Sequence, residues 1–288
     1  MIQKKSGKTT KKKKKSNIPF YLVFLIGFGI LLYPHVSNFY YRYESDQLTN
    51  SFDQEKKTLA SEEVKERIDL AQAFNESLNN VVSEDPYTKS RHEAGRVEYA
   101  RMLELHEKIG YVEIPKIEVK LPVYAGTSET VLQKGVGHLE GSSLPVGGES
   151  THTVITAHRG LPNASLFTNL DHLKVGDQFY IHNIAEVLAY EVDQILVVEP
   201  NNFDPVIVQN GKDYATLLTC TPYMINSHRL LVRGHRVPYE PKVAIKQKPA
   251  FFLDMLTLSY LVALLIIVVI VIILYLLRRK KYQKGEMK

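Results

Sequence analysis

A single cysteine, Cys220, serves the whole 288-residue chain. An intramolecular disulfide is therefore excluded. The ten histidines are scattered, so no compact Cys/His set with metal-ligand spacing exists and no metal site is expected. A glycine-rich phosphate loop is also missing, and no cofactor is expected. Positive charge is scarce where nucleic acid would need it. The net charge is +5, but residues 1–17 hold eight lysines and no acid, and residues 278–288 hold six basic residues against Glu286. These two tails together carry +13, which leaves −8 for everything between them. An acidic central region excludes nucleic acid as a partner, and the basic tails suit anionic membrane lipid instead.

What the chain has in abundance is apolar sequence in two runs, residues 18–33 and 251–277. Lys11 to Lys15 precede the first, and Arg278, Arg279, Lys280 and Lys281 follow the second. The positive-inside rule then predicts a two-pass protein of the cell membrane, with both termini cytoplasmic and the central region extracytoplasmic. The first run is short enough for a removable signal peptide. However, residues 34–41 offer no small-x-small cleavage site and supply interfacial aromatics, which favours an uncleaved anchor. The organisation that follows is a basic tail (1–17), a membrane anchor (18–34), a helical stalk (35–82), a loop (83–92), a strand-rich domain (93–240), a linker (241–250), a second membrane helix (251–277) and a basic tail (278–288).

Between residues 44 and 81 the sequence is charged and lacks Gly and Pro, and Leu48, Phe52, Leu59, Val64, Ile68, Ala71, Phe74 and Leu78 recur mostly at three- and four-residue steps. That spacing predicts one or two amphipathic helices that cover a core. Asp85-Pro86-Tyr87 marks a turn, because Pro86 cannot continue a helix and pushes Asp85 toward extended backbone. From residue 111 onward short runs rich in Val, Ile, Thr and Tyr take over, at 111–114, 119–124, 151–156, 178–181, 188–198, 215–220 and 229–233. Seven or more short strands imply a barrel or a sandwich. Residues 166–173 are the main helical candidate within this region.

Cys220 ends one of these strands, since Pro222 cannot donate to a sheet ladder. If the next strand returns as a hairpin, Arg229 comes back to the level of Cys220, while Arg233 and Arg236 fall further away. An unpaired thiol can be a small buried hydrophobe or a nucleophile. A guanidinium beside it would lower its pKa and stabilise the oxyanion formed when a thiolate attacks a carbonyl. Acyl transfer also needs a proton donor for the leaving amine, normally His. His158 lies at a strand-to-loop junction, but His152, His182 and His228 have comparable contexts, and His228 adjoins Arg229. Pattern alone does not choose among them.

Thr216-Leu217-Leu218-Thr219-Cys220 resembles the Thr-Leu-x-Thr-Cys motif of sortases, with Arg229 nine positions on. Thr156-Ala157-His158-Arg159-Gly160 looks like the segment bearing their catalytic His. The similarity runs from Tyr111 to Val237, through Gly137-His138, Leu166-Phe167 and Gly234-His235-Arg236. Asp85-Pro86-Tyr87 resembles the lid of class C sortases, with Tyr where Phe or Trp is usual. The resemblance implies a mainly β fold, a closed sortase-type barrel with short helices. It also implies a transpeptidase that polymerises pilin subunits carrying LPxTG-like sorting signals. Cys220 would be the nucleophile, His158 the acid/base, and Arg229 the group that holds the oxyanion or the substrate. Thr216, Leu217 and Thr219 would support the motif, Asp85 would pair with Arg229, and Tyr87 would pack near Cys220. The same triad also fits a housekeeping sortase that uses a different amine, and a peptidase that passes the acyl group to water. A pilus subunit would need LPxTG shortly before residue 251, and residues 237–250 contain nothing like it.

Overall fold

Of the two ways in which such β-branched runs can hide their apolar faces, a barrel or a sandwich, this chain takes the closed barrel. A computed structural model describes residues 18–78, 98–162, 164–241, 264 and 267, with side chains from residue 23. It contains eight strands: β1 (Lys108–Ile114), β2 (Val119–Ala125), β3 (Val136–His138), β4 (Thr151–Thr156), β5 (Gln178–His182), β6 (Val187–Val198), β7 (Asp213–Thr221) and β8 (His228–Val237). They close in the order β1-β2-β3-β4-β7-β8-β6-β5. The closed mainly β barrel expected from the sequence is therefore present. Pairing is antiparallel except for β2 with β3 and β4 with β7, which run parallel.

Strands β4 and β7 are buried along their whole length, apart from the half-buried Asp213. Two clusters account for this. Inside the barrel, Ile155, Leu217 and Val232 join Ile109, Phe167 and Phe179 in the main core. On the outer face, Val154, Leu218 and Leu231 meet Leu139 and Val206 in a second, smaller core. Because strand side chains alternate in direction, odd positions of β4 and β7 face inward and even positions face the outer cluster.

Among the described residues two α-helices precede the barrel. Helix α1 (Ile18–Lys56) is continuous through Pro34, so anchor and stalk are one element; Pro34 removes a single backbone bond and does not end it. It is the helix long and apolar enough to cross a membrane among the described residues. Helix α2 (Ser61–Ser77) folds back, and Phe52 of α1 and Ala71 of α2 are fully buried against the barrel core. The Asn75 side chain makes both hydrogen bonds to the Leu144 backbone, at 3.2 and 2.7 Å, which fixes the end of α2 to the barrel.

Three elements differ from expectation. Residues 166–173 form only a 3-10 turn at Leu170–His172. Leu166, Phe167, Leu170 and Leu173 are all buried, and Leu166 has φ +39°, so the segment follows the core surface rather than presenting one helical face. A short helix α3 (Glu129–Lys134) and strand β3 also occur. Each is too short to leave a periodic signal.

Candidate active site

Register brings the three expected residues to one end of the barrel. In the β7–β8 hairpin Cys220 pairs directly with Arg229, and Thr221 with His228. In the parallel β4–β7 pair Thr156 lies opposite Leu218, so two steps further on His158 reaches the level of Cys220. Three hydrogen bonds extend that pairing past the end of β4. Ala157 N donates to Leu218 O at 3.2 Å, Thr156 Oγ1 donates to the same oxygen at 3.2 Å, and Thr219 Oγ1 donates to Ala157 O at 2.8 Å. Cys220, Arg229 and His158 share the parity of Leu218, Leu231 and Val154, the residues of the outer cluster. The thiol, the guanidinium and the imidazole thus lie on one face, at the open end of the smaller core.

The motif residues around Cys220 have structural duties that the pattern did not disclose. The Thr216 hydroxyl is 2.7 Å from His152 Nε2, Leu217 is sealed in the main core, and Thr219 holds the backbone before His158. Cys220 is only 5% exposed and Arg229 7%. Arg229 Nη1 donates to the carbonyls of Asn226 and His228, at 3.1 and 3.0 Å, which orients the guanidinium through its own hairpin connection.

The competing histidines are spent elsewhere. His228 follows the inward parity of Leu230 and Val232. Its Nδ1 is 2.8 Å from Ser227 Oγ and its Nε2 3.3 Å from Glu199. His152 is buried between Thr216 and the Ile207 carbonyl, and burial pushes its pKa down to about 4. His182 stacks on Tyr111 at 4.1 Å between ring centroids and contacts Glu113 at 3.2 Å, holding that carboxyl below its ordinary range. His158 keeps a side chain 20% exposed, with Nε2 3.5 Å from Glu129 Oε1.

Two neighbours were not anticipated. Glu129 opens α3 and approaches His158 from 29 positions upstream. Arg159 binds Asp171 at 2.6 Å, donates through Nη1 to Thr221 Oγ1 and through Nε to Thr168 O, and so ties the strand end bearing His158 to the strand end bearing Cys220. Spacing in the chain carries no sign of either contact. Asp85, Pro86 and Tyr87 lie outside the described residues, as does nearly all of the second apolar run.

A closed eight-stranded barrel that gathers Cys, His and Arg at one end has the side chains that cysteine-based acyl transfer needs. The family model of the sortase domain matches residues 112–237. Sortase A of Streptococcus agalactiae serotype III (strain NEM316) is 32% identical over 116 residues, which is 39% of this chain and 47% of that protein. The chain thus spans about half the length of that curated relative. The crystal structure of sortase C-1 from Streptococcus pneumoniae is 65% identical, with a TM-score of 0.66; the match covers 67% of this chain and all of that one. A pilus-related sortase C of Group B Streptococcus is 62% identical with a TM-score of 0.64, over 66% of this chain and 97% of that one. The chain belongs to the sortase family, a family of cysteine transpeptidases.

Proposed function

We propose that the protein is a membrane-anchored class C sortase that cleaves LPxTG-like sorting signals of pilin subunits and joins the acyl fragment to a pilin lysine. The observation that carries this reading is the shared face and level of Cys220, His158 and Arg229, set by the β7–β8 and β4–β7 registers. The kinship with pilus-related sortase C structures supports the pilin substrate. The Cys220 thiolate attacks the carbonyl of the Thr-Gly bond, and the Arg229 guanidinium stabilises the resulting oxyanion or the acyl segment that bears it. His158 donates its proton to the departing glycine amine, leaving a thioester on Cys220. The lysine amine then attacks this thioester, His158 accepts its proton, and the thiolate leaves as an isopeptide bond forms.

Helix α1 and the second apolar run hold the chain in the membrane with both termini cytoplasmic, and lipid is its other partner. By their resemblance to the class C lid, Asp85-Pro86-Tyr87 would cover the site, with Asp85 paired with Arg229 and Tyr87 packed near Cys220. Intact mass spectrometry of the folded protein with an LPxTG-type peptide tests the reading. A Cys220-dependent adduct, released by an amine in preference to water, is expected. An adduct released equally by water would make the enzyme a peptidase, and no adduct in a lid-deleted form would overturn the proposal.

A further inference from the structure

Helix α1 docks on the barrel along a line whose direction can be read from its hydrogen bonds. At its C-terminal end Lys56 Nζ donates to Asn183 O at 2.9 Å, and Asp53 accepts from Tyr111 OH at 3.0 Å. Towards its N-terminal part Arg42 reaches Glu118 at 3.4 Å, and Tyr41 OH donates to Lys134 O at 2.7 Å. Earliest of all, Asn38 Oδ1 accepts from Ser165 N and Oγ at 3.1 and 2.9 Å. Asn183 follows β5, and Glu118 precedes β2. Strand β2 runs parallel to β3, β3 antiparallel to β4, and β4 parallel to β7, so β2 begins at the barrel end where β4 and β7 finish. The apolar part of α1 therefore leaves the barrel at the end that holds Cys220 and His158.

The contacts nearest that exit lie beside the site. Lys134 closes α3, whose first residue Glu129 meets His158, and Ser165 lies in the loop whose Phe167 N donates to His158 O. Asn38 comes five residues after Tyr33, the last residue of the apolar run, which is about 8 Å of helix. The headgroup layer is about 5–8 Å thick on each side of a bilayer, so this barrel end stands at its outer edge. The same end presents Tyr223, Met224 and Ile225, which are 54%, 82% and 70% exposed. Backbone bonds from Ile225 N and Asn226 N to Pro222 O shape them into a turn just after Cys220.

We propose that the barrel stands on the bilayer on its active-site end, with the Tyr223-Met224-Ile225 tip in the lipid interface and α1 as the rigid post that sets this pose. Adjacent apolar and aromatic residues are suited to that layer, and they continue the surface that the anchor already brings to it. The acyl donor is then a segment that emerges close to its own membrane attachment. The inference rests on α1 spanning the membrane, as in the function proposed above.

Its test uses the full chain with Cys220→Ala, which frees the protein of its thiol, in vesicles of phosphatidylcholine and phosphatidylglycerol. A single cysteine is placed at Ile225, at exposed Ala185 beyond the opposite barrel end, or at Ile26 within the apolar run, and carries an environment-sensitive fluorophore. Nitroxide lipids labelled at the headgroup or along the acyl chain act as quenchers. The Ile225→Cys label is expected to lose most of its emission to the headgroup nitroxide, the Ala185→Cys label to lose almost none, and the Ile26→Cys label to be quenched from the acyl chain. Acyl-chain quenching at position 26 with none at 225, or stronger quenching at 185 than at 225, overturns the pose while leaving the anchor intact. No quenching at position 26 overturns the anchor, and the pose with it. Because Cys220 is absent throughout, none of these outcomes depends on transpeptidation.

Discussion

His152 in strand β4 and His158, two residues past its end, share the outward parity, six positions apart and about 20 Å along an extended chain, yet the two rings live in different regimes. His152 lies under the β6–β7 connection, bonded to Ile207 O and Thr216 and driven toward neutrality by burial. His158 stands past the strand end, beside Cys220 and within reach of Glu129. Residue type and parity are shared; depth separates a ring that holds the fold from the one to which the proposed mechanism gives the proton transfers. The same contrast runs along β7, from Thr216, which serves His152, to Cys220, which faces Arg229.

The sharpest way to break this comparison is to remove the thiol at the open end. Cys220→Ala is expected to abolish both the thioester adduct and transfer, with an unchanged circular dichroism spectrum; residual adduct at another residue would dismantle the site. Next come the two histidines as a matched pair. His158→Ala is expected to lower kcat/KM by about 10²–10⁴-fold at unchanged melting temperature. His152→Ala is expected to cost about 1–3 kcal/mol of stability through the Thr216 and Ile207 groups left unsatisfied, while the folded fraction keeps its kcat. Urea unfolding and single-turnover kinetics on both variants read this double dissociation, and an exchange of the two outcomes would invert the assignment.

Arg229→Lys keeps the charge but loses the planar fork held by Asn226 and His228, so a fall in kcat of about 10–100-fold is expected. A smaller effect separates the two regimes by pH. His138 and His152 both have folded pKa values of about 4 against an ordinary 6.5. As pH falls the unfolded chain protonates first, so the stability they contribute is intact above about 6.5 and drains away toward 4. Melting temperature should therefore drop across that window, and His152→Gln should flatten the slope; a slope unchanged in this variant would deny the ring its burial. The smallest change is expected at the proposed lid, where Asp85→Ala or Tyr87→Ala should speed alkylation of Cys220 by about severalfold. Equal labelling rates in both variants and the parent would argue that these residues do not cover the thiol.

The local grammar of the chain was informative at the strands. Residues 151–156 are β4 without adjustment, and the turn chemistry after Cys220 made the hairpin partner Arg229 readable. What stayed hidden depends on contacts between distant segments. The parallel β4–β7 pair joins residues about sixty positions apart, and nothing within either strand names the other. Choosing His158 from composition and spacing alone was impossible for that reason; only resemblance to a family singled it out. Glu129 and Arg159 are invisible on the same grounds, because each meets its partner through tertiary closure. The 166–173 segment misled because its apolar spacing suits a helix, while its four buried side chains follow a curved core.

The parallel register between β4 and β7 also limits how the gene can change length. A one-residue slip in a strand turns every later side chain to the other face, so adding or losing a single codon within 151–158 or 213–220 would point His158 or Cys220 into the barrel. The β6–β7 connection, residues 199–212, carries no such strand parity, and a loop can grow at a cost that rises only slowly with length, but Val206 sits in the smaller core and the Ile207 carbonyl meets His152. Libraries that vary loop length can therefore insert or delete residues within 200–202, ahead of those anchors, while the two eight-residue windows accept substitutions only.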